Sequence, residues 1–98
     1  MKLRLFIRPA AEQDLVEGRD WYESQRTGLG SEFLDVIESR FDHIREFPES
    51  CAAGYRKVRP AIVRRFPYVI YYRILESGVE VLAVLHGRRD PRIWRRRS

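Results

Sequence analysis

The residues best suited to chemistry lie near the C-terminal end of the chain, in the segment VLHGRRDPRIWRRR. It contains His86, and histidine is the residue type best suited to act as a general acid or base near neutral pH. Arg88 and Arg89 follow it, and Arg64 and Arg65 form a second basic pair. Clustered guanidinium groups can hold phosphates or attract an acidic segment of a protein. The alternatives are a histidine that only hydrogen-bonds at a sheet edge and a solvated basic face.

The end of the same segment could add contacts through Arg92 and Trp94. Asp90 and Pro91 can start a helical turn, with the proline at its first position. Trp94 could stack on a base, but a tryptophan in such a tail more often folds back over a small core, which we favour. Arg95–Arg97 are expected to be frayed. The residues predicted to contact a macromolecular partner are Arg59, Arg64, Arg65, Arg88, Arg89, Arg92 and Trp94.

Charge is distributed unevenly along the 98 residues. Residues 1–54 contain 7 basic and 11 acidic side chains, whereas residues 55–98 contain 12 basic and 3 acidic ones, for a net charge of +5. This asymmetry predicts that the second half meets an anionic partner, either nucleic acid or an acidic protein segment. The acidic side chains of the first helix are expected to form its solvated face: Glu12, Asp14, Glu17, Asp20 and Glu23.

Several classes of protein are excluded by the motifs that are missing. His43, Cys51 and His86 lack the paired spacing of metal ligands, so we expect no metal, and a single cysteine cannot form an internal disulfide. The sequence has no P-loop, nucleophile elbow or glycine-rich dinucleotide turn, so we expect no cofactor. It also has neither a membrane span nor a signal peptide, which predicts a cytoplasmic protein.

Hydrophobic periodicity predicts the elements that must position these residues. Leu3, Leu5 and Ile7 alternate as in a half-buried strand. A helix from Pro9 has an apolar stripe at Ala11, Leu15, Gly18 and Tyr22. After the glycines of TGLGS, a second helix begins near Ser31, stops at Pro48 and has the apolar face Phe33, Val36, Ile37, Phe41, Ile44 and Phe47.

Strands are predicted for the second half of the chain. Tyr55–Arg65 contains Pro60, which favours an edge strand or a bend. Tyr68–Leu75 and Val79–His86 form a hairpin around the turn Glu76-Ser77-Gly78, and the second strand is apolar enough to be central. The order is β-α-α-β-β-β, an α+β fold of one domain, 1–98. Its helical hairpin covers a small, mostly antiparallel sheet, and a short C-terminal helical element follows.

These residues resemble a known family. The segments RPAAEQDL, WYE, GLGSEF, RRFPYVIYY and VLAVLHGRRDP are similar to the RelE/ParE superfamily, and the resemblance extends over nearly the whole chain. Its members are toxins of type II toxin–antitoxin modules, also called plasmid-stabilisation proteins, with two helices packed on a small antiparallel sheet. The resemblance implies a growth-arresting toxin and a cognate antitoxin that covers its active face, in a possible hetero-oligomer.

The resemblance leaves two functions open. ParE-like members bind DNA gyrase, and the HGRRDP ending favours this side. RelE-like members cut mRNA on the ribosome, without a metal. If the chain were such an RNase, His86, Arg65 and Arg89 would form its catalytic set, with Tyr68 or Tyr72 assisting. Between Tyr55 and Arg73, however, there is no Glu, Asp or His to supply a second proton carrier.

Overall fold

The computed structural model describes residues 2–98. The chain forms four strands, β1 (Leu5–Ile7), β2 (Arg59–Ile62), β3 (Tyr68–Leu75) and β4 (Gly78–His86). Helices α1 (Pro9–Gln25) and α2 (Leu29–Glu46) lie between β1 and β2, and α3 (Arg92–Arg95) is C-terminal. Short 3₁₀ turns cover Pro48–Ser50 and Tyr55–Lys57. The predicted α+β order is confirmed, although α2 begins two residues earlier than Ser31.

The sheet has the order β1-β4-β3-β2. β4 therefore lies inside the sheet, as its continuous apolar run predicted, and all residues from Val79 to Leu85 except Glu80 are buried. β3 pairs with both β2 and β4 in antiparallel fashion, while β1 runs parallel to β4. The sheet is thus mostly antiparallel, and β2 is the edge strand that Pro60 predicted.

The core lies between the helical hairpin and one face of the sheet. The apolar stripe of α2 supplies Phe33, Ile37, Phe41 and Ile44, all buried. They pack with buried residues of the sheet, among them Ile70, Tyr72, Val79 and Val81. Phe47 was predicted to join the face of α2, and this was wrong. The helix ends at Glu46, so Phe47 leaves the helical stripe and is 52% exposed.

The free edge of β2 is closed to further strand pairing. Val63 N donates to Tyr68 O across the β2–β3 ladder, so by the alternation of an antiparallel pair the N side of Pro60 faces away from β3. Proline has no N–H to offer there. Two residues on, Arg40 Nε donates to Ile62 O at 3.0 Å. A proline and an arginine cap are devices that protect edge strands from aggregation.

Two predictions about charged residues were wrong. Asp14 is not on a solvated face but is buried, 7% exposed, and both its oxygens accept hydrogen bonds from Arg97. Arg97 is consequently not frayed. The other acidic residues predicted for the α1 surface are exposed: Glu12, Glu17, Asp20 and Glu23.

The reason lies in the short length of β1. β1 ends at Ile7, and beyond it the edge of β4 has lost its parallel neighbour. Asp14 Oδ2 accepts from Val84 N at 3.0 Å, and Arg97 Nη1 donates to Leu82 O at 3.1 Å. Arg8 in turn donates to the backbone oxygen of Arg97. This Asp14–Arg97 pair satisfies the backbone groups that a longer β1 would have paired.

Candidate functional site

The predicted arginines come together where β3 begins and β4 ends. Gly87 N donates to Pro67 O at 2.8 Å, which joins the turn after β4 to the turn before β3. Arg64, Arg65, Arg88 and Arg89 are exposed on these two turns. We call these four residues the strand-end arginines. The structure thus gathers four of the seven predicted contact residues on one surface.

Arg65 differs from the other strand-end arginines because it is already engaged. Its guanidinium donates to Glu32 Oε1 at 3.0 Å and lies 5.3 Å from the ring centroid of Phe66. The Arg65 and Arg26 guanidinium groups lower the pKa of Glu32. Arg65 also has φ of 72°, a left-handed backbone that is costly for an arginine. Within residues 2–98, the guanidinium groups of Arg64, Arg88 and Arg89 have no ion-pair partner.

His86 sits beside these arginines in the role of a turn-stabilising residue. Its Nδ1 accepts a hydrogen bond from the backbone N of Arg88 at 3.1 Å. With Nδ1 accepting, the neutral imidazole carries its proton on Nε2. The ring has Tyr68 as its aromatic neighbour, with centroids 5.8 Å apart. The Nδ1 lone pair of His86 is thus engaged within the turn, and Nε2 is the ring nitrogen left for other contacts.

Neither tyrosine is suited to take a proton at neutral pH. Burial raises the pKa of Tyr68, with the nearby Arg89 acting in the opposite direction. Burial also raises the pKa of Tyr72 to about 12. The Tyr72 hydroxyl donates to Pro48 O at 2.6 Å, and the residue is 0% exposed. Tyr72 therefore belongs to the core and not to a reaction site.

Arg92 and Trp94 belong to α3, and Trp94 lies on the face of the sheet that the helical hairpin leaves uncovered. Trp94 stacks on Tyr71, with ring centroids 4.7 Å apart and planes 15° from parallel. The favoured interpretation, a tryptophan folded back onto the sheet, agrees with this packing. Arg92 forms two hydrogen bonds to Asp90 Oδ2, at 2.9 and 2.7 Å. These bonds, with one from the Arg92 backbone N, lower the pKa of Asp90 to about 2.

Arg59 is the seventh predicted contact residue, and it lies apart from the strand-end arginines. It pairs with Tyr72 in the β2–β3 register, four residues along β3 from Tyr68. Its Nη1 donates to Cys51 O at 2.6 Å, so it fastens the segment after α2 to the sheet. The contact of this half-buried arginine is therefore one that stabilises the fold.

Sequence reasoning missed residues that cluster around Trp94. The Tyr55 ring is edge-on to Trp94, with centroids 6.0 Å apart, and the Arg95 guanidinium lies 5.1 Å from the Tyr55 centroid. Tyr55 and Trp94 are 39 positions apart in the chain, so no local pattern could have joined them. Tyr71 gave a weak signal, because it alternates with Ile70 and Tyr72 and so must face away from the helices.

A groove of about 770 Å³ lies between α2 and β2 and extends to Arg64 and Arg65 of the strand-end arginines. Its lining includes Arg40, His43, Cys51 and Ile62. The Arg40 guanidinium makes three contacts there, with Ile62 O, His43 Nδ1 and Cys51 Sγ. Across residues 2–98, no group of three or more His, Cys, Asp or Glu is arranged to hold a metal ion. None of the helices described is long and apolar enough to cross a bilayer.

The fold matches that of a solved toxin–antitoxin protein. A chain of the "Chromosomal ParDE TA system from P. aeruginosa" superposes with a TM-score of 0.75. The match covers 87% of this chain and 96% of that chain, at 16% sequence identity. Such a likeness defines the class by its fold alone, that of a small α+β protein like that chain.

The sequence comparisons then give the family. The family model described as "ParE toxin of type II toxin-antitoxin system, parDE" matches residues 5–91. "Toxin ParE2" of Mycobacterium tuberculosis is 30% identical over 95 residues in each of two strains, CDC 1551 / Oshkosh and ATCC 25618 / H37Rv. Each match covers 93% of this chain and 88% of the relative. The chain belongs to the ParE toxin family of type II toxin–antitoxin systems.

Proposed function

We propose that this ParE-family toxin arrests growth in the cytoplasm by binding DNA gyrase through the strand-end arginines. The observation that supports this proposal is the absence of ion-pair partners, within residues 2–98, for the guanidinium groups of Arg64, Arg88 and Arg89. Three exposed cations on two joined turns can form charge-assisted hydrogen bonds to carboxylates of a protein partner. Gyrase as that partner follows from the family resemblance.

Cleavage of mRNA is the second candidate, and the site offers less for it. The reaction needs one group to take the 2′-hydroxyl proton and another to protonate the leaving oxygen. His86 already uses Nδ1 to hold the turn, and the raised pKa of Tyr68 keeps its hydroxyl protonated. The arginines could stabilise charge on phosphate, but they cannot move a proton at neutral pH.

Substitutions in the site should separate binding from cleavage. We expect the double change Arg88→Ala/Arg89→Ala to abolish toxicity, because two charged hydrogen bonds at about 1.5–3 kcal/mol each correspond to a binding loss of at least about a hundredfold. His86→Ala should keep most of the toxicity. The measurement is growth after induction, with pulse-labelling of thymidine and amino-acid incorporation. Thymidine incorporation should fall first.

The matched control is Arg19→Ala, which removes an exposed arginine from α1 without touching the strand ends. It should be as toxic as the unchanged chain. A prompt fall in amino-acid incorporation alone, lost in His86→Ala, would contradict the gyrase proposal and support cleavage of mRNA. Toxicity that survives Arg88→Ala/Arg89→Ala would remove the strand-end arginines from the target surface.

We further propose that the cognate antitoxin covers the same surface with an acidic or amphipathic segment. The unpaired strand-end cations are the complementary partners for such a segment. Affinity of the complex should fall as salt rises from about 0.05 to 0.5 M, because these exposed charges are screened. Co-expression should restore growth. An affinity that is constant over this range of salt would rule out the electrostatic part of the proposal.

A further inference from the structure

A second cationic surface lies on the uncovered face of the sheet, apart from the strand-end arginines. It consists of Tyr55, Arg56, Tyr71, Trp94 and Arg95, which we call the outer-face cluster. The Arg56 guanidinium lies 5.6 Å from the Tyr55 centroid, and that of Arg95 lies 5.1 Å from Tyr55 and 5.4 Å from Trp94. Trp94 stacks on Tyr71, and this contact attaches the cluster to β3. The aromatic rings and the guanidinium groups of the cluster are thus linked by successive contacts.

The charges of this surface are not neutralised by the fold. Arg56, Lys57, Arg95 and Arg96 are exposed. Within residues 2–98, none of the four has a carboxylate at ion-pair distance. By contrast, Arg92 in the same helix is held by Asp90. Four unpaired cations around an aromatic cluster create a positive potential that favours an anionic partner.

The backbone that follows Tyr55 is strained. Arg56 and Lys57 both have left-handed backbones, with φ of 48° and 64°. The conformation is fixed by hydrogen bonds of Gly54 N to Val58 O, Lys57 N to Gly54 O and Val58 N to Tyr55 O. Left-handed non-glycine residues cost of order 1–3 kcal/mol each and concentrate at functional sites. Here the strained turn presents two exposed cations beside a tyrosine that is 45% exposed.

We infer that the outer-face cluster binds single-stranded nucleic acid. Phosphates would meet Arg56, Lys57 and Arg95, while bases stack on the exposed Tyr55 ring and on the arginine planes. An acidic peptide would use the charges but not the aromatic surface, because aspartate and glutamate side chains have no aromatic ring to stack on it. A cationic surface with aromatic side chains is the general means of binding single strands without sequence preference. This binding is independent of the proposed gyrase function.

The test is fluorescence anisotropy of the full chain with short labelled oligothymidylate, oligodeoxyuridylate, oligouridylate and a duplex of the same length. We expect a Kd on the order of 10 µM at about 0.1 M salt, the range of sequence-independent binding. Tyr55→Ala should weaken binding of the single strands about tenfold, given the contribution of one stacked base. The control Trp21→Ala removes another exposed aromatic side chain, from α1, and should leave binding unchanged.

The two tryptophans allow the binding site to be located. In Trp21→Phe, Trp94 is the sole tryptophan, and oligothymidylate should quench its fluorescence. In Trp94→Phe, the fluorescence of Trp21 should not change. Anisotropy that reports binding while Trp94 is unaffected would overturn the inference, because the strand would then bind elsewhere.

Three further outcomes would overturn it. In the first, the Tyr55→Ala variant binds the single strands as tightly as the unchanged chain does. In the second, the duplex binds more tightly than the single strands. In the third, polyglutamate of equal charge displaces the bound strand. Each would mean that charge alone attracts the probe. Oligodeoxyuridylate and oligouridylate differ only at the 2′-hydroxyl, so the ratio of their affinities identifies DNA or RNA as the preferred strand. Failure here leaves the gyrase proposal intact, since Arg88→Ala/Arg89→Ala tests that surface separately.

Discussion

Replacing Asp14 by alanine should lower the free energy of unfolding by about 3–5 kcal/mol, the usual cost of removing one partner from a buried ion pair. Asp14 is 7% exposed and accepts from Arg97 at 2.6 and 3.2 Å. The change would leave a half-buried guanidinium without its carboxylate and the buried Val84 N–H without an acceptor. A domain of this size has about 5–15 kcal/mol in total, so a large share of the stability would be lost.

Two further substitutions separate the contribution of the buried charge from that of an ordinary exposed ion pair. Asp14→Asn keeps an oxygen that can accept from Val84 N but loses the charge that faces Arg97, so its stability should be intermediate. Asp20→Ala, on the same helix, breaks only the exposed pair with Arg19 and should cost at most about 1 kcal/mol. Urea unfolding followed by circular dichroism measures all three. A loss in Asp14→Ala no larger than in Asp20→Ala would show that the pair does not hold the C-terminal segment.

The Asp14–Arg97 pair also explains what sequence reasoning could not reach. Periodicity predicted the helical hairpin and β3–β4, because core residues such as Phe33 and Val81 repeat at the spacing of their own element. The residues of the pair are separated by 83 positions, and their pairing depends on where β1 ends. Asp14 falls three positions after Ala11 and four before Gly18, so its burial follows the helical spacing of the apolar stripe, whereas the identity of its partner does not.

The same limit applied to the candidate site. The strand-end arginines lie on two joined turns because they flank the strands of the hairpin that the sequence predicted, and their role in contacts stays a prediction. Arg59 was grouped with them only by charge, and its contact with Cys51 O follows from the path of the segment after α2. Tyr55 was missed because its neighbour Trp94 reaches it only after α3 has folded back onto the sheet.

Gly78→Ala should be the second severe substitution, because it combines a strained backbone with a steric clash. The sequence placed Gly78 in a turn, whereas the structure makes it the first residue of β4, with φ of 147°. A Cβ there would lie 2.4 Å from Arg4 O, the oxygen that accepts from Val79 N at 2.8 Å. The clash therefore falls on the hydrogen bond that starts the parallel β1–β4 pairing.

Gly28→Ala supplies the comparison that separates the two causes. Gly28 precedes α2 with φ of 90°, but a Cβ would meet nothing within 4 Å. In the alanine variant the free energy of unfolding should fall only by the cost of backbone strain, about 1–3 kcal/mol. The free energy of unfolding should fall clearly more in Gly78→Ala. In that variant amide exchange should be faster at Val79 than at buried β3 positions such as Ile70, because only the β1–β4 contact is opened. Equal losses in the two variants would mean that β1 shifts to admit the methyl group, and that the parallel pairing tolerates displacement.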